Sequence, residues 1–308
     1  MGIFVLIAAY FLWRKRRSGK YSPFTEKFFR LPGHSTGKFH AEIVEKITWN
    51  YACFVVISAF VAWKIVYHSV FDFLVLLGLF LMGCLVYRTY PLFEKVQNYR
   101  LGREGEEFTG QELNLLMLSG AYVFHDIPYK YGNIDHIVIG KDKLFVVETK
   151  AFKKPQNSKT DTSKNAKVRY DGSTLFFPTF STSEPLEQVK IAAKFVEKVL
   201  VKKTNQEFPV VPVVPVVPVV ALPGWYVELD LSQSAEVLVI NPRRGNALRK
   251  MLGEYTNYDL RREVVRHIAA VSRSVKPQSK STDPNATDQF DFWANPKVVE
   301  DLSWDKSI

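Results

Sequence analysis

The chain has 308 residues, of which 47% are hydrophobic and 14% aromatic, and a formal net charge of +10. Its length allows one sizeable α/β core with additional segments, and its two cysteines, Cys53 and Cys84, exclude a disulfide framework or a cysteine metal cluster. The basicity is uneven: residues 1–48 are net +6, residues 49–99 net +1 and residues 100–308 net +3, so overall charge is a poor argument for nucleic-acid binding.

Residues 3–13 are an unbroken apolar run followed by Arg14-Lys15-Arg16-Arg17. Eleven residues are short for a membrane span, and the charges follow the run instead of preceding it as in a signal peptide. The run is read as a short anchor, with residues 1–48 forming an anchor and basic segment. Residues 49–67 and 70–87 are near-continuous apolar stretches of 19 and 18 residues, each close to the length needed to cross the hydrocarbon. Lys64 and Asp72 flank the expected turn at His68-Ser69, and Trp49, Tyr51, Trp63, Tyr67, Tyr87 and Tyr90 mark the ends as aromatic belts do. The pattern predicts a transmembrane hairpin over 49–90. Basic residues on both flanks place those flanks in the cytoplasm, with the lipid bilayer as partner and a bacterial inner membrane as setting.

From residue 101 the pattern becomes globular. Residues 101–119 read as an amphipathic helix ended by Gly120. Residues 122–127, 134–139 and 144–151 read as strands, residues 152–167 as a polar loop, and residues 168–177 as a hairpin around Asp171-Gly172. Residues 183–203 follow as a helix. Pro209, Pro212, Pro215 and Pro218 are each followed by Val-Val, which excludes an ordinary central strand throughout; residues 216–222 are the part expected to pair. Residues 236–240 read as a strand, residues 244–254 and 257–271 as closing helices, and residues 273–308 as a polar tail.

The chemistry concentrates on two strands. Glu148 and Lys150 share one face of the third strand, directly after the run Leu144-Phe145-Val146-Val147. Asp135 interrupts the second strand beside Ile134 and Ile137. Antiparallel pairing would bring Asp135 beside Glu148. Two neighbouring carboxylates repel and favour a hard divalent cation such as Mg²⁺, with Mn²⁺ as a substitute. Such an ion activates water and polarises a phosphoryl oxygen, while a lysine offsets developing charge, which points to phosphodiester hydrolysis. Glu-x-Lys alone is weak and is as readily a salt bridge at a sheet edge; the ordered set of helix acid, strand Asp and strand Glu-x-Lys is more specific. Glu104 and Glu107 read as solvated acids, His136 as a packing residue and His125-Asp126 as a strand end. Residues 141–169 are locally net +6, so Lys153, Lys154 and Lys159 are candidate phosphate contacts.

Gly102-Arg103-Glu104-Gly105-Glu106, then Asn133-Ile134-Asp135-His136-Ile137-Val138, then Phe145-Val146-Val147-Glu148-Thr149-Lys150 resemble the nuclease-related domain (NERD) family. The resemblance covers about residues 100–270, so the expected domain spans 100–272. It implies the PD-(D/E)xK nuclease superfamily and an α/β, restriction-endonuclease-like mixed sheet flanked by helices, here preceded by a transmembrane helical region. By position it implies Glu106 as the helix glutamate, Asp135 and Glu148 as metal ligands, Lys150 as the catalytic lysine and Gln188 as a recurrent glutamine near the site. The Pro-Val-Val tract and Ala151, where the family tends to carry a glycine, depart from the pattern. The implied activity is Mg²⁺-dependent hydrolysis of nucleic acid, DNA favoured. The other reading of the same residues is a non-catalytic nucleic-acid-binding or partner-binding domain tethered to the membrane.

Overall fold

A computed structural model describes residues 28–67, 73–129, 131–155, 167–201, 215–230 and 235–244, with short pieces at 248–249, 252, 264–266 and 268–269. The 3–13 run, the 68–69 turn, Lys159, most of the closing helices and the polar tail lie outside the described residues.

Two long helices come first. Helix α1 runs His34–Tyr67 and α2 runs Phe73–Asn114. They pack antiparallel along their length. Gly78 abuts the Val61 side chain, Asn50 Nδ2 donates to Thr89 Oγ1 at 2.9 Å, and the Phe39 and Tyr99 rings lie 6.0 Å apart. Both helices are long and apolar enough to cross a membrane by length and composition. Residues 34–48 are the opening turns of α1, and α2 continues through residues 90–100 without a break. Consequently the helix expected over 101–119 is the last part of α2 plus a 3₁₀ turn, Leu115–Ser119. Its end is as read: Gly120 takes the left-handed conformation, φ 82°, and its N–H donates to Met117 O.

A five-stranded sheet follows, built from β1 (Tyr122–Tyr129), β2 (Gly132–Ile139), β3 (Leu144–Thr149), β7 (Val216–Ala221) and β9 (Leu238–Ile240), in the order β1-β2-β3-β7-β9. β1, β2 and β3 are antiparallel neighbours, while β7 pairs parallel with β3 and with β9. The sheet is thus mixed. A smaller sheet joins β4 (Lys167–Tyr170), β5 (Leu175–Phe176), β6 (Ser181–Thr182) and β8 (Tyr226–Leu229). The β4–β5 turn forms as expected: Asp171 Oδ1 accepts from the N–H groups of Ser173 and Thr174, and Gly172 has φ 100°.

Pro218 sits inside β7, between two neighbouring strands. The parallel ladder explains why this is tolerated. Pro215 O and Ala221 O accept from Leu144 and Lys150 on the β3 side, whereas Leu222 N donates to Ile240 O on the β9 side. Alternation therefore turns residue 218 toward β9, and β9 pairs only from Val219 onward. No ladder donor is missed.

Each face of the large sheet is covered. Leu113 and Leu116, at the end of α2, pack with Val138, Phe145 and Val147. Helix α3, Glu184–Phe195, lays Leu186, Val189 and Ala192 on the opposite face with Ile137, Val146 and Val220. A π-helical stretch, Val196–Val201, continues α3. The alternation of strand side chains puts Asp135 and Glu148 on the α3 face, and His136 and Thr149 on the α2 face.

Candidate functional site: three carboxylates and a lysine

The register His136↔Val147, continued one residue, sets Asp135 opposite Glu148. The Asp135 carboxylate accepts the Thr149 N–H at 2.7 Å, closing the end of the β2–β3 ladder with a side chain. Glu148 and Lys150 form an ion pair at 3.2 Å, both side chains largely buried. Lys150 lies just past β3, not within it, and its N–H still donates to Ala221 O.

Glu106 joins these residues from α2. The close approach requires Gly105: a Cβ there would stand 2.6 Å from Ala151 Cβ, just past the end of β3. The helix can touch the strand because position 105 has no side chain. Ala151 itself, where a glycine was expected, is accommodated by the glycine on the facing helix.

The buried groups act on one another electrostatically. Burial raises the Asp135 carboxyl well above the usual range, and the charges of Glu148 and Glu106 add to this. Burial also pushes Glu106 up to about 7, against the Thr36 hydrogen bond and with repulsion from Asp126 and Glu148. For Lys150 desolvation opposes the charge, but Glu148 and Asp135 outweigh it and the ammonium is held more tightly than usual. The Tyr129 hydroxyl is raised by burial and then by the charges of Glu148 and Asp135.

Gln188, on α3, is buried. Its Nε2 donates to Glu184 Oε1 at 2.9 Å, while its Oε1 is buried without a protein partner. Glu184 in turn acts on Lys150. Among the described residues, no group of three or more acid, histidine or cysteine side chains is set closely enough to hold a metal ion by itself. Of the candidate phosphate contacts, Lys153 is exposed and Lys154 places Nζ 5.8 Å from the centre of the Trp225 ring.

Residues 101–223 match the family described as nuclease-related domain (NERD). The match ends at residue 223, short of the 270 expected, so β9 falls beyond it. No curated protein and no solved structure matches the chain.

Four residues around the domain's site escaped the sequence reading: Thr36, Asp126, Tyr129 and Glu184. Glu184 had a signal, standing four residues before Gln188 at a helix start. Tyr129 ends a strand, as many tyrosines do. Asp126 was read as a strand end. It lies instead inside β1, 2% exposed, bracketed opposite Asp135 by the register His125↔His136 and Ile127↔Ile134. Its φ of 51° is the one positive value among the described non-glycine residues. Glu104 and Glu107 are solvated, as read, each paired four residues back with Arg100 and Arg103.

Proposed function

We propose that the protein is a membrane-anchored, Mg²⁺-dependent nuclease of the PD-(D/E)xK type, hydrolysing phosphodiester bonds of nucleic acid, DNA favoured, at the cytoplasmic face. One observation carries the reading. Glu106, Asp135 and Glu148 are brought together so that burial and mutual repulsion raise the first two, with a single lysine ion-paired among them. One lysine does not balance three buried carboxylates, and a divalent cation would relieve the remaining repulsion.

The donor set fits a hard divalent ion. Asp135 and Glu148 would hold it, and the Gln188 Oε1, buried without a protein partner, is a further oxygen in the neighbourhood. Two carboxylates suffice for Mg²⁺, which retains several waters. When bound, the ion supplies Lewis acidity and a more acidic water. The chain's own groups do the rest. Lys150, held cationic by Glu148 and Asp135, offsets charge building on phosphoryl oxygens. Glu106, raised to about 7, can take up or release a proton near neutral pH. Glu184 and Gln188 hold the α3 side of the cluster. Lys153 and Lys154 leave the same strand and suit contacts to a phosphate backbone.

The membrane part of the reading is supported by outward-facing apolar side chains on α1 and α2. Val56 is 68% exposed and Phe80 67%, which water would penalise and lipid would not. The aromatic residues at the ends, Trp49, Tyr67, Tyr87 and Tyr90, are also exposed.

The test uses the full chain in detergent micelles with plasmid DNA. Cleavage is expected with Mg²⁺, absent with EDTA and absent in Glu148→Ala. Equal degradation by wild type and Glu148→Ala would remove the site assignment. A second reading, a binding module without turnover, draws on the Glu148–Lys150 ion pair, which already occupies one proposed ligand. Retention of DNA without cleavage in any divalent metal would favour it.

A further inference from the structure

Glu106 is reached by a residue from far outside the NERD match. Thr36 Oγ1 donates to Glu106 Oε1 at 2.6 Å, across seventy positions of sequence. Thr36 stands in the first turn of α1, before either apolar stretch.

The turn that carries it is docked on the domain by several independent contacts. Arg30 pairs with the Asp126 carboxylate at 2.9 Å, and Ser35 Oγ donates to the same carboxylate at 2.8 Å. The Ser35 N–H adds a longer contact at 3.4 Å. Asp126 thus caps the start of α1 from another element, where a carboxylate also meets the favourable end of the helix dipole. Its left-handed backbone breaks the β1–β2 pairing at that position. Pro32 sits against Gly110, where a Cβ would stand 2.5 Å from the proline ring. Gly102 faces Thr36, with Thr36 Cγ2 3.6 Å from the place a Cβ would take. Of the two glycines in the Gly-Arg-Glu-Gly-Glu motif, Gly105 is the one whose missing side chain admits the strand end, while Gly102 lies in ordinary contact distance of Thr36.

From this geometry we infer that Thr36 is a positioning residue of the nuclease site, fixing the Glu106 carboxylate through its hydroxyl. The site is then assembled from two segments, the NERD domain and the opening turn of α1. This rests on the proposed nuclease reading. It goes beyond it by making the helix that leads into the apolar hairpin a working part of the site. Glu106 needs such a donor. It is desolvated and lies in the field of Asp126 and Glu148, so a freely rotating carboxylate would swing away from them. A hydrogen bond to a charged acceptor is strong enough to prevent that. Trp49, where the apolar stretch begins, is thirteen positions along α1 from Thr36, roughly 20 Å along the axis. The docked turn thus also sets the standing distance of the site from the lipid surface.

The experiment compares full-length wild type, Thr36→Val and Thr36→Ser in Mg²⁺-dependent plasmid cleavage, with melting temperature measured alongside. Valine keeps the shape and loses the hydroxyl; serine keeps the hydroxyl and loses the methyl. Cleavage should fall about tenfold or more in Thr36→Val, the size expected for losing one positioning hydrogen bond, and stay near wild type in Thr36→Ser. Wild-type rates in Thr36→Val would overturn the inference, as would an equal loss in both variants, which would show a packing role. Wild type without cleavage would count against the nuclease reading itself. The contact is then read from a double-mutant cycle of Thr36→Val with Glu106→Gln in thermal unfolding. Non-additive shifts support the pairing and additive shifts overturn it.

Discussion

Neighbouring residues on β2 and β3 meet burial in opposite ways. Asp135 and Glu148 face α3, while the next residues, His136 and Thr149, face α2. The α2 side carries a closed polar chain. His125 Nε2 meets Asn114 Oδ1 at 3.1 Å, His125 Nδ1 meets His136 Nδ1 at 2.8 Å, and His136 Nε2 meets Thr149 Oγ1 at 3.2 Å. With Asn114 Oδ1 as acceptor, one set of tautomers satisfies every contact: His125 donates from Nε2, His136 donates from Nδ1, and Thr149 donates its hydroxyl to His136 Nε2. Both rings are then neutral, in keeping with burial lowering the pKa of each. The α3 side has the reverse character, with carboxylates that repel one another. A satisfied network is what a core keeps for stability and specificity. A cluster left in repulsion marks a site that trades stability for function. The two faces share a single backbone link, since the Thr149 N–H is bound by Asp135 while the Thr149 hydroxyl serves His136.

The largest break in this contrast is expected from Asp135→Asn. The amide retains an acceptor for Thr149 N–H but removes a charge from the cluster. Mg²⁺-dependent cleavage should drop at least about a hundredfold. The melting temperature should not fall and should rise by about 2–4 °C, as repulsion and desolvation are relieved. A marked destabilisation would mean that the carboxylate is structural. The matching change on the other face, His136→Leu, should do the opposite. It leaves Thr149 Oγ1 and His125 Nδ1 buried and unpaired, at a cost of about 2–4 kcal/mol, read as a melting temperature lower by about 5–10 °C. If His136→Leu were as stable as wild type, the polar chain would have no structural weight.

What the sequence disclosed follows from the range of the interactions. β1, β2 and β3, with Asp135, Glu148 and Lys150 on one face, were legible because strand alternation is local and a charge after four apolar residues stands out. The β4–β5 turn was legible for the same reason, through Asp171-Gly172. The continuity of α2 was not. Gly102 and Gly105 read as helix-opening residues, yet they sit mid-helix, and Ala151 packs where a side chain on Gly105 would stand. Pro218 was correctly suspect, but its harmless orientation depends on where β9 begins, which no local pattern reveals. The Arg30–Asp126 and Thr36–Glu106 pairs join residues 96 and 70 positions apart, and of the four only Glu106 lies in a motif. His125 and His136 were read singly, and a pair across a sheet becomes visible only with the register.

A smaller effect sharpens the contrast through pH. His125 has its pKa lowered by burial from 6.5 to about 4, so the folded state refuses a proton that the unfolded state accepts. Its contribution to stability is full above about pH 6.5 and is lost as pH falls toward 4. Glu106 works the other way. Its pKa is raised by burial from 4.5 to about 7, so the folded state binds a proton sooner than the unfolded state does. That contribution is full below about pH 4.5 and is lost as pH rises through 7. In metal-free wild type the two opposing slopes overlap and partly cancel between pH 7 and 4.5. Glu106→Gln removes one of them. The variant should therefore lose stability more steeply on acidification than wild type, by on the order of 1–2 kcal/mol across that interval. Melting temperatures of the two proteins in EDTA at successive pH values check this. Parallel curves would show that Glu106 carries no strained charge. A steeper fall in Glu106→Gln would show that Glu106 opposes the histidine slope and would separate the two faces by the sign of their response to protons.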